Sequence, residues 1–401
     1  MDLNDTPEQA EYRTKVRSWL QAHRDEAPTV VGDRIEPEIV AARRAWQRRL
    51  AEAGLVGITW PAEYGGQGLG PLEQVITNQE IAAAGVPGIF DFIGVGMLGP
   101  TIIAHGSEEQ KQRHLGPMLH ADEVFCQLFS EPAAGSDLAG IQARAQLQDD
   151  GSWRVSGQKV WTTNAQFASF GLMMTRSNPD VPKHKGLTMF IVPMDAPGVT
   201  IRPLRQISGD AHFNEVFFDD VELPPGSEVG PVGNGWGVGL TTLMFERVAI
   251  GLGSESFGWR ADRFAAALAA DPGARSDAEV RRRLGHIAAQ FLALRYTGYR
   301  ALTALQRGQT PGPEGALGKI TTVNAAIDAG ELLVDALGPD ALEQGEWAAL
   351  ISELPGIKSA GGTEEILRSM VGERVLGLPP EPRLDKGIPF SELRSKEVAT
   401  A

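Results

Sequence analysis

The 401-residue chain has one cysteine, no long run of lysine and arginine, and no stretch as long and apolar as the roughly eighteen residues a membrane span requires. The lone Cys126 cannot form an internal disulfide. It lies in the apolar run from Val124 to Phe129, so it reads as a buried, inert thiol in a reducing cytoplasm. A net charge of −14 without a basic stripe disfavours nucleic acid and anionic membranes as partners. The opening Met1-Asp-Leu-Asn-Asp-Thr6 is acidic and lacks the apolar stretch of a signal peptide. The seven histidines are scattered, and none stands in a ligand spacing such as H-E-x-x-H, so no metal is expected. No G-x-S-x-G elbow is present, and Cys126 has no supporting motif, which argues against covalent acyl transfer.

What is there has the texture of a globular protein, 42% hydrophobic and 22% charged, and too long for one core, so two or three domains are expected. Residues 6–26 and 37–55 read as amphipathic helices. Thr6-Pro7-Glu8 starts the first, and Tyr12, Val16, Trp19 and Leu20 form its apolar stripe. Gly65-Gly66-Gln67-Gly68 marks a loop, and helical periodicity resumes from Pro71 to about His120. From about 122 the runs become short, β-branched and aromatic: 124–129, 153–161, 170–175, 187–193, 199–204 and 213–221, separated by turn dipeptides. Alanine-rich helical sequence returns from about 236 to 376, giving the order helical, β, helical. Gly94-Val-Gly-Met-Leu-Gly99 fits G-x-G-x-x-G as a string. It lies among helices, however, and Glu123 is too far along to serve as the acidic partner, so no nicotinamide site is read there.

Two linked segments carry the chemistry. Gln127-Leu-Phe-Ser-Glu-Pro-Ala-Ala-Gly-Ser-Asp137 runs from a strand into a turn that exposes backbone N–H groups to a phosphate or carbonyl ligand. Gln158-Lys-Val-Trp-Thr-Thr-Asn-Ala165 sets Trp161 beside Thr162 and Thr163, a flat ring next to hydroxyl donors, as a planar cofactor requires. Either alone is compatible with an ordinary strand and turn. Together and in this order they closely resemble the acyl-CoA dehydrogenase family of flavoproteins. So do Trp60-Pro-Ala-Glu-Tyr-Gly-Gly-Gln-Gly68, Phe213-Asn-Glu-Val-Phe-Phe-Asp-Asp-Val-Glu-Leu-Pro224 and Gly361-Gly-Thr-Glu-Glu-Ile366, so the likeness covers nearly the whole chain.

The resemblance implies an α+β fold: an N-terminal helical domain (1–121), a middle β-barrel-like domain (122–231) and a C-terminal helical bundle (232–401). It implies FAD as cofactor, a place in lipid metabolism, and electron-transfer flavoprotein as electron acceptor. Gln127, Phe129, Ser130, Gly135 and Ser136 would contact flavin, Ser136 also lying near the CoA arm. Trp161 and Thr163 would line the isoalloxazine, Thr163 donating near N5, and Thr363 and Glu365 on the last helix would meet the cofactor. Lys183-His-Lys185 is a candidate for the anionic CoA, with a solvated loop as the alternative.

Removing a weakly acidic α-proton calls for a carboxylate of raised pKa in an apolar pocket. Many family members carry it directly before the Gly-Thr of the final motif, where this chain has Gly361. Isovaleryl- and long-chain-type members carry it at a helical Glu-Arg pair, matched here by Glu246-Arg247. Gly239, Leu243, Glu246, Ile250 and Gly253 fall at helical spacing, so Glu246 interrupts an apolar stripe; a buried salt bridge is its structural alternative. Gly361 keeps the backbone N–H that bonds the thioester carbonyl in the family. Met244, Arg247, Gly361 and Ser136 are the expected substrate contacts, Arg247 orienting the site. The small residues Gly361, Ala249, Gly251 and Gly253 suggest room for a branched or cyclic acyl group. Two departures stand out. Asp271–Asp277 with Arg281–Arg283 replaces the family's Arg-x-x-Phe-Gly segment, and Leu337-Gly-Pro-Asp-Ala341 replaces its Gly-Gly-x-Gly. The expected assembly is a homotetramer with Arg281–Arg283 reaching a neighbour's flavin; the alternatives are a flavin-scaffold subunit of a heteromer and a dehydrogenase or oxidase of carrier-protein thioesters.

Overall fold

Residues 5–29, 36–252, 261–306, 316–343 and 345–393 are described by the structure, a computed structural model; the side chains of 247–252, 261–263, 301–302, 305–306 and 346 are not. Five helices come first: α1 (Pro7–His23), α2 (Pro37–Glu52), α3 (Pro71–Ala84), α4 (Gly99–His105) and α5 (Glu108–Leu119). Thr6 caps α1 as its sequence predicts: its hydroxyl accepts from the Gln9 N–H, and the Gln9 side chain accepts from the Thr6 N–H. The Gly94–Leu98 string is a π-helical turn that leads into α4, outside the strand–turn–helix context a dinucleotide would need. It is pinned by Asp91, which no pattern of residue types marks out. The buried Asp91 carboxylate accepts from the N–H groups of Gly94 (2.9 Å) and Phe125 (3.2 Å), so it ties the helical layer to the first strand. A Cβ on Gly94 would stand 2.1 Å from that carboxylate, which is why glycine occupies the position.

The strands are β1 (Phe125–Leu128), β2 (Arg144–Leu147), β3 (Trp153–Thr163), β4 (Phe170–Arg176), β5 (Leu187–Pro193), β6 (Val199–Leu204), β7 (Phe213–Leu223) and β8 (Glu228–Val229). They form one sheet in the order β6-β7-β3-β2-β4-β5-β8, with β1 parallel to β4 at the side. Alternation splits the sheet's two faces cleanly. Leu172, Met174, Leu187, Met189 and Ile191 join the core of the N-terminal helices, whereas Met173, Phe190 and Val192 join Trp153, Val155 and Val216 in a core between strands. Burying a ring such as Phe190 contributes about 1.5–3 kcal/mol. Cys126 sits in that second core, fully buried, and burial pushes its thiol pKa up. An inert thiol follows.

The last helices are α6 (Gly235–Leu252), α7 (Ala261–Ala270), α8 (Pro272–Ser276), α9 (Ala278–Gln306), α10 (Ala316–Leu337), α11 (Glu346–Ser359) and α12 (Glu364–Arg374). They enclose a third core around Phe264, Ile287, Leu332, Leu333 and Leu354. The start of α6 is pressed onto β5: a Cβ on Gly235 would lie 2.7 Å from the Leu187–Thr188 backbone, and the Gly233 N–H donates to the Thr188 hydroxyl (3.0 Å). Beyond α12 the chain returns to the β domain. There the Phe390 N–H donates to the Val181 carbonyl, and the Phe390 ring lies 3.8 Å under the Arg176 guanidinium.

Candidate active site

The two cofactor-side segments meet through main chain and through one buried ion pair. The Val160 N–H on β3 donates to the Ser130 carbonyl in the turn after β1 (2.9 Å). Lys159, fully buried, donates to the Phe129 carbonyl (3.0 Å) and to Glu131 (2.8 Å), whose carboxylate also accepts from the N–H groups of Gln142 and Ala143. Burial pushes the Lys159 ammonium down to about 8, with Glu131 opposing that shift. Neither Lys159 nor Glu131 featured in the sequence reading, although both lie inside the two segments. A carboxylate and an ammonium flanking a Pro-Gly-Ser turn and a Trp were the available signal.

Beyond Lys159 the strand is irregular, with a register shift between Lys159 and Thr162 against β7. Trp161 (φ 59°) and Asn164 (φ 56°) adopt the left-handed conformation, strained for a bulky side chain. The result is an indole 60% exposed, edge-on to Phe213 at 5.8 Å, with Thr163 half-buried beside it and Thr162 turned into the core. Among the described residues other than its chain neighbours, none comes within 4 Å of where a Cβ on Gly135 would stand, and Ser136 is exposed, so the turn is open on that side. Gln127 lies on β1, opposite Leu172 of β4. An exposed ring, free hydroxyls and an open turn fit a planar, phosphate-bearing cofactor. Lys183 is held by Asp137 and Asp385, which leaves it neutralised beside that turn.

The other half of the site belongs to the C-terminal helices. Thr242 of α6 is buried and bonds Thr101 of α4 (3.0 Å); Thr241 bonds His105 (2.8 Å). Glu246 follows Thr242 by four residues and Leu243 by three, so it shares their packed face, half-buried, roughly 16 Å along the helix from the β5 contact. Met244 is exposed. The side chains of Arg247, Ala249, Ile250 and Gly251, and Gly253 altogether, lie outside the described residues. In the loop between α11 and α12, Gly361 (φ 63°) and Gly362 (φ 92°) are both left-handed, a pairing that only glycine adopts without strain. Thr363 caps α12, its hydroxyl accepting from the Ile366 N–H (3.3 Å). Glu364 is buried between Lys358 and Arg368, and Glu365 is exposed. Lys319 of α10, buried, lies beneath this loop, and the charges of Glu246, Glu364 and Glu365 act on its ammonium. The Arg281 guanidinium donates to the carbonyls of Arg275 and Ser276, Arg282 pairs with Glu279, and Arg283 with Asp335. Among the described residues no cluster of three or more His, Cys, Asp or Glu could hold a metal ion, and no helix is long and apolar enough to cross a membrane.

Helices, a sheet presenting a left-handed tryptophan and an open turn, and helices again follow one another along the chain, a three-part order that fits a flavin-dependent dehydrogenase. The chain belongs to the acyl-CoA dehydrogenase family: the family's N-terminal domain matches residues 6–122, its middle domain 126–221 and its C-terminal domain 233–376. Acyl-CoA dehydrogenase IpdE1 of Mycolicibacterium smegmatis is 37% identical over 395 residues, covering 92% of this chain and 98% of that protein. Among solved structures, the Tcur3481-Tcur3483 steroid ACAD has a TM-score of 0.80 at 29% identity, over 95% of this chain and all of the other. The ChsE4-ChsE5 complex from Mycobacterium tuberculosis has a TM-score of 0.77 at 27% identity, over 94% of this chain and 100% of that one. The protein is therefore an oxidoreductase acting on acyl-CoA, and its cofactor is FAD.

Proposed function

We propose that this enzyme converts an acyl-CoA thioester to the trans-2-enoyl-CoA, with Glu246 as the base that takes the α-proton. The observation that carries this reading is a half-buried carboxylate on the packed face of α6, near enough for its charge to act on Lys319, which bonds the loop of two left-handed glycines. Half-burial on that face leaves the carboxylate shielded from bulk water and able to take up a proton during the reaction. The Gly361 N–H would donate to the thioester carbonyl and stabilise the charge that develops as the proton leaves. Gln127, Phe129, Ser130, Gly135, Ser136, Trp161 and Thr163, with Thr363 and Glu365 at α12, would hold the flavin; Ser136 and Met244 would flank the substrate, and Arg247 would orient the site. Bound FAD supplies the acceptor for the β-hydride, and electron-transfer flavoprotein is the proposed onward acceptor.

The proposed substrate class is a bulky, ring-bearing acyl-CoA, supported by the glycine at 361 and by the likeness to a steroid-acting enzyme. Anaerobic flavin bleaching against a panel of straight-chain and steroid side-chain CoA thioesters tests reaction and class together. Preferential bleaching by the ring-bearing thioesters is expected; preference for short straight chains over every bulky ester would reject the class. Glu246→Gln should retain FAD and fold while turnover falls roughly 10²–10⁴-fold. Turnover near wild type would remove Glu246 from the role.

A second reading concerns assembly. Each of Arg281, Arg282 and Arg283 already has a partner within the chain, which a neighbour's pyrophosphate would have to displace. Both solved relatives named above are pairs of differently named chains. Assembly with an unlike acyl-CoA dehydrogenase chain that completes the flavin site is favoured over the homotetramer.

A further inference from the structure

We infer that Lys319 is a positioning residue: by gripping the loop between α11 and α12 it aims the Gly361 N–H at the substrate carbonyl. The inference rests on the reading of Glu246 and Gly361 given above. The Lys319 ammonium has three N–H donors, and three carbonyls receive them: Lys358 (3.3 Å), Ala360 and Gly362. These acceptors are the end of α11 and the residues on either side of Gly361. In a trans peptide the C=O and N–H lie in one plane and point in opposite directions. The Ala360 carbonyl and the Gly361 N–H belong to the same peptide. When Lys319 draws the carbonyl toward α10, the Gly361 N–H must point away from α10. Among the described residues no acceptor receives that N–H, which leaves it available to a ligand.

Two further features fit positioning rather than general support. Gly361 and Gly362 are both left-handed, a conformation glycine shares almost evenly with its mirror image, so the backbone alone does little to choose the peptide's orientation. A fixed cation chooses it. The site of Lys319 is also costly: the residue is 7% exposed, and burial lowers its ammonium pKa. The facing charges are Glu246 from α6 and Glu364 and Glu365 from α12, with Lys358 and Arg368 pairing Glu364. All three donors of Lys319 are spent on carbonyls, so it acts on Glu246 through space and on Gly361 through the backbone.

The test uses the FAD-loaded enzyme, in whichever assembly it is isolated, and two variants, Lys319→Met and Lys319→Arg. Met removes the charge at similar length. Arg keeps the charge, but its planar fork cannot spread over three convergent carbonyls. The probe is a 3-ketoacyl-CoA, whose bound enolate absorbs in the near ultraviolet and forms at lower pH the better its thioester carbonyl is polarised. Both variants should keep wild-type KM and FAD content. Their kcat should fall about 10–100-fold, less than the loss of a whole oxyanion donor, and the enolate should form about one pH unit higher or more. Wild-type kcat and enolate pH in a FAD-loaded Lys319→Met overturns the inference. Wild-type behaviour of Lys319→Arg with a defective Lys319→Met also overturns it, because charge alone would then suffice. Should Lys319→Met fail to load FAD, Lys319→Arg decides. Inactive Glu246→Gln together with two wild-type-like Lys319 variants rejects this inference alone, whereas active Glu246→Gln rejects the reading beneath it.

Discussion

Lys159 and Glu131 connect the residues a flavin would touch to the residues that hold them in place. Lys159 precedes Trp161 by two positions on β3, Glu131 directly follows Ser130, and their ion pair is sealed from water. A buried pair adds little net stability over an apolar isostere, but removing one partner strands the other's charge at a cost of about 3–5 kcal/mol. Lys159→Met is therefore expected to destabilise the enzyme by about that much and to lower FAD content, because the Phe129 carbonyl and the Ser130 turn lose their anchor. The double variant Lys159→Met with Glu131→Leu should recover much of the stability without recovering flavin. Denaturant melts and the flavin-to-protein absorbance ratio measure the two effects separately. Equal recovery of both in the double variant would show that the pair acts on stability alone.

At the scale of elements, joints between layers carry what the periodic elements do not. Asp91 joins the π-helical turn to β1, and burial pushes its carboxyl up to about 7, against the pull of its two N–H donors. A carboxyl whose folded pKa is raised takes up a proton on folding. Its contribution to stability is full below its ordinary value of 3.8 and is lost as pH rises through about 7. The melting temperature of the wild type should accordingly carry a downward slope between about pH 4 and 7 that Asp91→Asn flattens. The variant should also melt lower at pH 5, since its amide N–H₂ confronts one of the two N–H donors. An unchanged slope would mean that the carboxyl is ionised throughout. The elements themselves were legible: helices α1 and α2 and the longer strands begin within a few residues of where periodicity puts them. Strands β2 and β8 were not. Only Ala145 of β2 is buried and β8 has two residues, so neither shows the alternation that marks a half-buried strand.

For the whole molecule, apolar side chains left exposed on the C-terminal helices bear on assembly: Leu240 and Met244 on α6, Leu292 and Tyr296 on α9, and Leu317 on α10. Such surface on helices that also carry half of the proposed active site suits a partner chain. Purified alone, the chain is expected to be flavin-poor; co-expressed with an unlike acyl-CoA dehydrogenase chain, it should yield a flavin-loaded heteromer. Native mass and FAD stoichiometry decide this together. A homotetramer with one FAD per chain would return the flavin half-site to a second copy of this sequence.

The amino-acid sequence by itself determined the helical–β–helical order, which rests on periodicity and turn residues, and its short motif segments carried the resemblance that implies the family and FAD. It also singled out Glu246, since one carboxylate in an apolar helical stripe is visible without coordinates. Only the tertiary structure decided which charges those segments lean on. Lys159 meets the Phe129 carbonyl across 30 positions, Asp91 meets the Phe125 N–H across 34, and Lys319 meets the Gly362 carbonyl across 43. In each pair a side chain meets a backbone group, and a backbone N–H or C=O is the same at every residue, so no pattern of residue types announces the match. Which carbonyl a buried lysine finds depends on how the layers pack, and packing is a property of the whole chain.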